Sequence, residues 1–424
     1  MEAETKEQRF REMKELFKKY RTFYIQHILE EKKKVRNTEV RKMLNEFVIG
    51  RMASKPGIRA YIFEKMWDIL SLPKNSTFYK LCVGIEMQLG QTYSFNVGAD
   101  KKCGYGKRYT TAFLTAKEMK RIHKSFFVKC FPNHYNEIWK IFDEIYDVFY
   151  SAQIFDTIIN LYPNIGKSIH SILQNSIQAD EEEFYMNFGI EKKYLMRVYS
   201  KFKFHKFEFK TLPFFVLKRT YGINAHMIEH YPLLIKVFYP EIGRKEILAL
   251  SGYGRYYGIS MMITNDIQDF ALDLLADEST PRAKTKTDAF NDVINQKITW
   301  PIMYALLDSD DIAKEIIHKA YTKPTQENLE LLRKMLLSKE YIKQAVLESL
   351  SYAHLAIENL SNFSNTSHKE MLTHVAISMS LFTKYHKLLK HFYNIHLRPS
   401  KSSIRKRKTE LIKVMKNEKQ IFDI

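Results

Sequence analysis

Cysteine is scarce: three residues, Cys82, Cys103 and Cys130, in a chain of 424. None has metal-ligand spacing, so a thiolate metal cluster is excluded and a reducing, cytoplasmic setting is expected. Glycine and proline number only 14 and 11, few enough breakers to leave long helices uninterrupted. The N-terminus begins charged and lacks an apolar export core, and no apolar run approaches the ~20 residues that a membrane-crossing helix needs. Strand-type alternation is hard to find anywhere, and no internal repeat is visible. The 14 histidines are dispersed, with no metalloprotease or zinc pattern among them.

What remains is helical. Hydrophobic residues make up 45% of the chain, ample for one large core. Tracts such as EIWKIFDEIYDVFYSAQIFDTIINLY (Glu137 to Tyr162) and AVLESLSYAHLAIENL (Ala345 to Leu360) repeat apolar residues at threes and fours, the spacing of a helix with one buried face.

The stretch GISMMITNDIQDFALD (Gly258 to Asp273) stands out. Asn265, Asp269 and Asp273 fall at i, i+4 and i+8, so a helix aligns them on one face, with Asp266 beside them. Oxygen ligands grouped in this way suit Mg²⁺, although a solvated acidic helix end has the same look. Just downstream, DVINQKITWPIMYAL places Lys297 in an otherwise apolar segment, a cation able to neutralise a diphosphate.

At these residues the chain resembles the trans-prenyltransferases, the class I isoprenoid enzymes. Gly258, Asn265, Asp266, Asp269, Lys297, Thr299 and Pro301 fall on the family's second aspartate-rich motif and the Gly-Lys-x-Thr-x-Pro segment after it, with Met262 and Asn265 replacing its glutamine and first aspartate. Against the Asn-Asp-x-x-Ser-x-x-x-Glu triad of terpene synthases, Asn265, Asp269 and Asp273 occupy the ligand positions. Three more segments follow the family order. AQIFD supplies Gln153 and Asp156, and KTLPFF supplies Lys210 and Thr211 for an allylic diphosphate. SKPGIR supplies Lys55 and Arg59 in a loosened isopentenyl diphosphate site. The first aspartate-rich motif keeps its ten-residue spacing from Glu86 but reads Asn96, Val97, Gly98, Ala99, Asp100, leaving oxygen ligands only at Asn96 and Asp100, one turn apart. The paired arginines of the family are matched only by Lys107 and Arg108, after a two-residue slip.

The resemblance implies an all-α isoprenoid synthase bundle around a central cavity, which the 29 Phe and 26 Tyr would help to wall. Mg²⁺ would be held by Asn265, Asp266, Asp269, Asp273, Asn96 and Asp100, with Asp266, Lys210 and Lys297 acting in loss of pyrophosphate from an allylic prenyl diphosphate. Because the isopentenyl diphosphate site is the weaker half, a terpene synthase of the prenyltransferase lineage is expected first. The alternatives are a chain-elongating prenyl diphosphate synthase, with Lys55, Arg59, Lys107 and Arg108 rebuilding the second pocket, and a non-catalytic subunit of the same fold.

The ends lie outside the resemblance. Residues 1–50 read as a charged helical extension, amphipathic enough to pack on the domain or on a partner subunit, residues 51–396 as the isoprenoid synthase domain, and residues 397–424 as a basic tail. A formal charge of +19 fits diphosphate substrates, and the tail fits an anionic membrane surface, making peripheral membrane contact an expectation. No nucleic-acid recognition motif is present, so nucleic acid is not an expected partner; a homodimer is.

Overall fold

The computed structural model describes residues 2–46, 57–100, 109–153, 156, 162–167, 209–275, 290–308, 310–379, 402 and 405–411. Every regular element among them is helical.

The first, α1 (Glu2–Lys32), carries Leu16, Phe17, Tyr20, Tyr24 and Ile28 at helical spacing, and all five are buried. That stripe packs α1 against α3 (Ile58–Ile69), α4 (Ser76–Ala99) and α5 (Tyr109–Cys130), so the N-terminal helix packs on the domain itself. Its last turn is tied by Glu31. Burial would raise this carboxyl, but Lys34, Lys129 and Arg121 close around it and hold it down at about 2.

Helix starts follow local capping rules. Asn37 accepts from the Glu39 and Val40 amides at the head of α2 (Thr38–Met43), and Asn75 accepts from the Phe78 amide at the head of α4. Helices α4 and α5 pack along one another, with Gly84 directly under the Phe127 ring. After α6 (Tyr135–Gln153) the described chain resumes as α7 (Leu212–Thr220), which runs through a π-helical turn, Tyr221–Ala225, into α8 (His226–Phe238).

The axis of the molecule is α9 (Arg244–Leu275), 32 residues and therefore about 48 Å long. Leu250, Tyr253, Ile259, Ile263, Ile267 and Phe270 are fully buried along it. It lies between α8 and α14 (Tyr341–Asn359). Two glycines allow the approach: a Cβ at Gly254 would stand 2.5 Å from the Ile228 carbonyl oxygen, and one at Gly258 would stand 2.4 Å from Ala225 Cα.

Past α9 the chain forms α10 (Asn291–Ile294), α11 (Trp300–Leu307), α12 (Asp311–Thr322) and α13 (Gln326–Ser338) before α14, and α15 (Ser367–Met379) after it. Part of the basic tail joins the same body. Residues 405–411 are helical, Leu411 is fully buried, and Arg407 pairs with buried Glu348 at 2.6 Å. Among the described residues, no helix is long and apolar enough to cross a membrane.

Candidate active site

The ends of α4, α6 and α7 meet the interior of α9 at a buried run of alternating charge. Asp100 closes α4 as its C-cap, and its carboxylate pairs with Lys297 just ahead of α11. The Lys297 ammonium also reaches Asp156, beyond the end of α6, at 2.9 Å and Asp292 on α10 at 3.9 Å. Asp156 takes Arg219 of α7 at 3.2 Å on its other oxygen, and Arg219 pairs in turn with Asp266 of α9. The order Asp100, Lys297, Asp156, Arg219, Asp266 thus alternates in sign. All five residues are at most 5% exposed.

Removing so much charge from water is costly, and the alternation offsets it. Burial alone would lower the Lys297 pKa, but Asp100, Asp156 and Asp292 push it above its ordinary value and keep the amine charged. Arg219 is held charged in the same way by Asp266, Asp156 and Asp292. Asp266 is raised: burial acts first, Arg219 opposes it, and the nearby Asp292 and Asp156 carboxylates add to it. One of its oxygens accepts from the Trp300 amide at 3.2 Å and from Arg219, while the other, Oδ1, is buried with no hydrogen-bond partner.

Around this run the frame is firm. Gln153 donates to the Asn96 side-chain oxygen Oδ1 at 2.5 Å, tying α6 to α4. Asn295 donates to the Asp100 backbone carbonyl at 2.9 Å, and the Trp300 indole donates to Thr220 at 2.9 Å. The Asp292 amide donates to Asp269 Oδ2 at 3.3 Å, and the Phe290 amide to the Asp269 carbonyl at 3.1 Å.

Of the residues singled out in the sequence, Asp100, Asp156, Asp266 and Lys297 share this network, and Asn96 with Gln153 borders it. The α9 line divides: Asn265 is exposed, Asp269 is 4% exposed, and the Asp273 side chain lies outside the described residues. Lys210 is exposed on the turn Phe209–Thr211, and Thr211 is half-buried at the start of α7. Arg59 is turned inward, donating to Asn224 Oδ1 at 3.1 Å and to Met227 Sδ at 3.4 Å. Lys55, Lys107 and Arg108 lie outside the described residues. Sequence reasoning missed Arg219, Asp292 and Asn295. For Arg219 the available signal was a basic residue in an apolar helix, LPFFVLKRT, the same signal that had drawn attention to Lys297.

No protein-family model matches the sequence, and no curated protein matches it. Solved structures do. A polyprenyl synthase from Caulobacter crescentus, complexed with calcium and isoprenyl diphosphate, superposes with a TM-score of 0.61 at 12% identity, over 87% of this chain and 96% of that one. Geranylgeranyl pyrophosphate synthetase from Pyrococcus horikoshii gives 0.59 at 14% identity, over 87% and 98%. Heptaprenyl diphosphate synthase from Staphylococcus aureus gives 0.58 at 16% identity, over 87% and 98%. With 87% of its length superposed on nearly the whole of each of these structures, the chain has the all-α, trans-prenyltransferase-like fold of the class I isoprenoid synthases.

Proposed function

We propose that this chain is a Mg²⁺-dependent class I isoprenoid enzyme that ionises an allylic prenyl diphosphate, releases pyrophosphate and resolves the carbocation within the same molecule, as terpene synthases of the prenyltransferase lineage do. The observation that carries the reading is the alternating run from Asp100 to Asp266, set where the ends of α4, α6 and α7 meet the interior of α9.

The donor set fits a hard divalent cation in chemistry and in charge. Among the described residues, the carboxylates of Asp100, Asp156, Asp266 and Asp292 gather around Lys297 and Arg219, and Asp266 Oδ1 is buried with no hydrogen-bond partner. Lys297 and Arg219 stand between the carboxylates, so the proposed ligands Asn96, Asp100, Asn265, Asp266, Asp269 and Asp273 would complete their sphere with diphosphate oxygens. Bound there, Mg²⁺ would supply Lewis-acid neutralisation of the leaving group.

The chain's own part is binding and fixed charge. Ionisation breaks an allylic C–O bond and moves negative charge onto pyrophosphate, so cations held in place before the reaction favour the transition state. Lys210 and Thr211 on their turn, Lys297 from the interior, and Gln153 with Asp156 are the proposed diphosphate-binding residues.

Arg59 weighs against chain elongation: its guanidinium donates to Asn224 and Met227 inside the fold, and a second diphosphate would have to compete with those contacts. A non-catalytic subunit has one observation in its favour: Asn96 and Asn265 are uncharged where a metal cluster gains most from carboxylates.

Incubation of the purified chain and Mg²⁺ with geranyl, farnesyl and geranylgeranyl diphosphates, with and without isopentenyl diphosphate, tests the reading. The expected products are pyrophosphate and a hydrocarbon or alcohol, formed without isopentenyl diphosphate. A longer diphosphate formed only in its presence would establish elongation instead, and substrate binding without turnover would establish the subunit.

A further inference from the structure

A second constellation lies apart from the aspartate run, between α6 and α8. His226 and His230 are one turn apart on α8, and Glu144 faces them from α6. One ligand atom from each of the three lies within 4.8 Å of the other two, and this is the one His, Cys, Asp and Glu group of that kind among the described residues. The i, i+4 spacing of the two histidines is present in HMIEH (His226 to His230), although it matches no metalloprotease or zinc pattern.

The hydrogen bonds around the two rings fix which nitrogens are available. The Tyr221 hydroxyl donates to Glu229 Oε2 at 2.8 Å, so toward His226 Nδ1, 3.0 Å away, it can only accept. His226 is therefore protonated on Nδ1 and carries its lone pair on Nε2, an atom that is buried without a hydrogen-bond partner in a side chain 5% exposed. The His230 Nδ1–H donates to the His226 carbonyl at 2.7 Å, which turns His230 Nε2 toward Glu144 Oε1, 3.5 Å away. Arg255 pairs with Glu229 behind the site, so the ring of His226 is backed by a Tyr, a Glu and an Arg in series. Metal-binding histidines characteristically donate their other N–H to a hydroxyl, carbonyl or carboxylate in this manner.

We infer that Glu144, His226 and His230 form a binding site for a divalent transition ion of the zinc type, with Nε2 of each histidine and a Glu144 carboxylate oxygen as ligands. Two imidazole nitrogens and one carboxylate are the donor types that such ions select over Mg²⁺. Glu144 is exposed, so the ion enters from solvent and a water completes its coordination. The site bridges α6, whose end carries Gln153, and α8, which continues from Arg219 through the π turn. An ion there ties α6, which borders the aspartate run, to α8, the continuation of the helix that carries Arg219.

The test uses the full chain stripped of metal with a chelator. Zn²⁺ is titrated in competition with a chromophoric chelator, Co²⁺ is titrated by its visible absorption, and excess Mg²⁺ is present throughout. One ion per chain is expected, accompanied by a rise in Tm. Glu144→Gln changes an exposed side chain and leaves the fold unaltered, and it should weaken Zn²⁺ by about tenfold or more, as should His230→Asn. A Glu144→Gln, His230→Asn double variant that binds Zn²⁺ as tightly as the unaltered chain would overturn the site, placing the ion on other histidines or cysteines. Absence of stoichiometric binding to the unaltered chain would also overturn it, leaving Glu144 and His230 as an ion pair.

Discussion

Arg219 is the residue on which the buried network turns. It is 2% exposed and holds Asp156 with one nitrogen and Asp266 with another. Arg219→Met would strip buried Asp266 of its cation and leave Asp156 with Lys297 alone, and should cost about 3–5 kcal/mol in urea unfolding. Adding Asp266→Asn should recover part of that loss, since the neutral amide no longer needs the cation; a double variant no more stable than the single one would show that the pairing is not the cause. A second buried carboxyl gives a pH test. Burial pushes Glu86 up to about 7 against the opposing pull of Arg59, the Tyr20 hydroxyl and the Ala60 amide. Its folded pKa thus lies above its ordinary value of 4.5, so its contribution to stability is complete below about pH 4.5 and is lost as pH rises through 7. Glu86→Gln should therefore gain on the unaltered chain by roughly 2–3 kcal/mol between pH 4.5 and 8. A stability difference that stays constant over that range would refute the assignment. At this scale the ordered motifs picked out Asp100, Asp156, Asp266 and Lys297, which share the network, but also Asn265, which is exposed, and Arg59, which bonds to Asn224 and Met227 instead. Arg219 and Asp292 were not legible, because a lone charge in an apolar or turn segment most often sits at the surface, and only the fold reveals what surrounds it.

Among the elements, the decisive contact is that between α9 and the turn joining α7 to α8. Tyr221–Ala225 is π-helical, and Asn224 donates from it to the Gly258 carbonyl at 3.0 Å, so turn and helix touch through backbone. π-Helical turns within longer helices recur at functional sites, and this one directly follows Arg219 and Thr220. Gly258→Ala would drive a Cβ into Ala225 Cα and should cost about 1–3 kcal/mol, because two backbones would have to separate. The control is Gly243→Ala. There the added Cβ meets only the end of the Glu246 side chain, which can swing away, and the change should fall within about 0.5 kcal/mol. Equal losses in the two variants would contradict the close-approach argument. Helices as such were readable from their apolar spacing, including the buried stripe of α1. The π turn was not, since one extra residue per turn changes the hydrogen-bond register without changing the composition.

For the molecule as a whole, fold class was legible because few breakers, helical periodicity and the order of several weak motifs all pointed to the same bundle. The basic tail was read from composition alone, which misses that Arg407 is drawn into an ion pair with Glu348 and Leu411 into the core. Chemistry is the claim that most needs testing, and the direct measurement is Mg²⁺-dependent pyrophosphate release from an allylic prenyl diphosphate, run on the unaltered chain and on Asp269→Ala and Lys297→Met. Circular dichroism accompanies each assay to confirm the helical fold. The account predicts steady release by the unaltered chain in the absence of isopentenyl diphosphate, and a loss of about tenfold or more in each variant that retains its fold. Release at unchanged rates in both folded variants, or none from the unaltered chain with any allylic substrate, would contradict it.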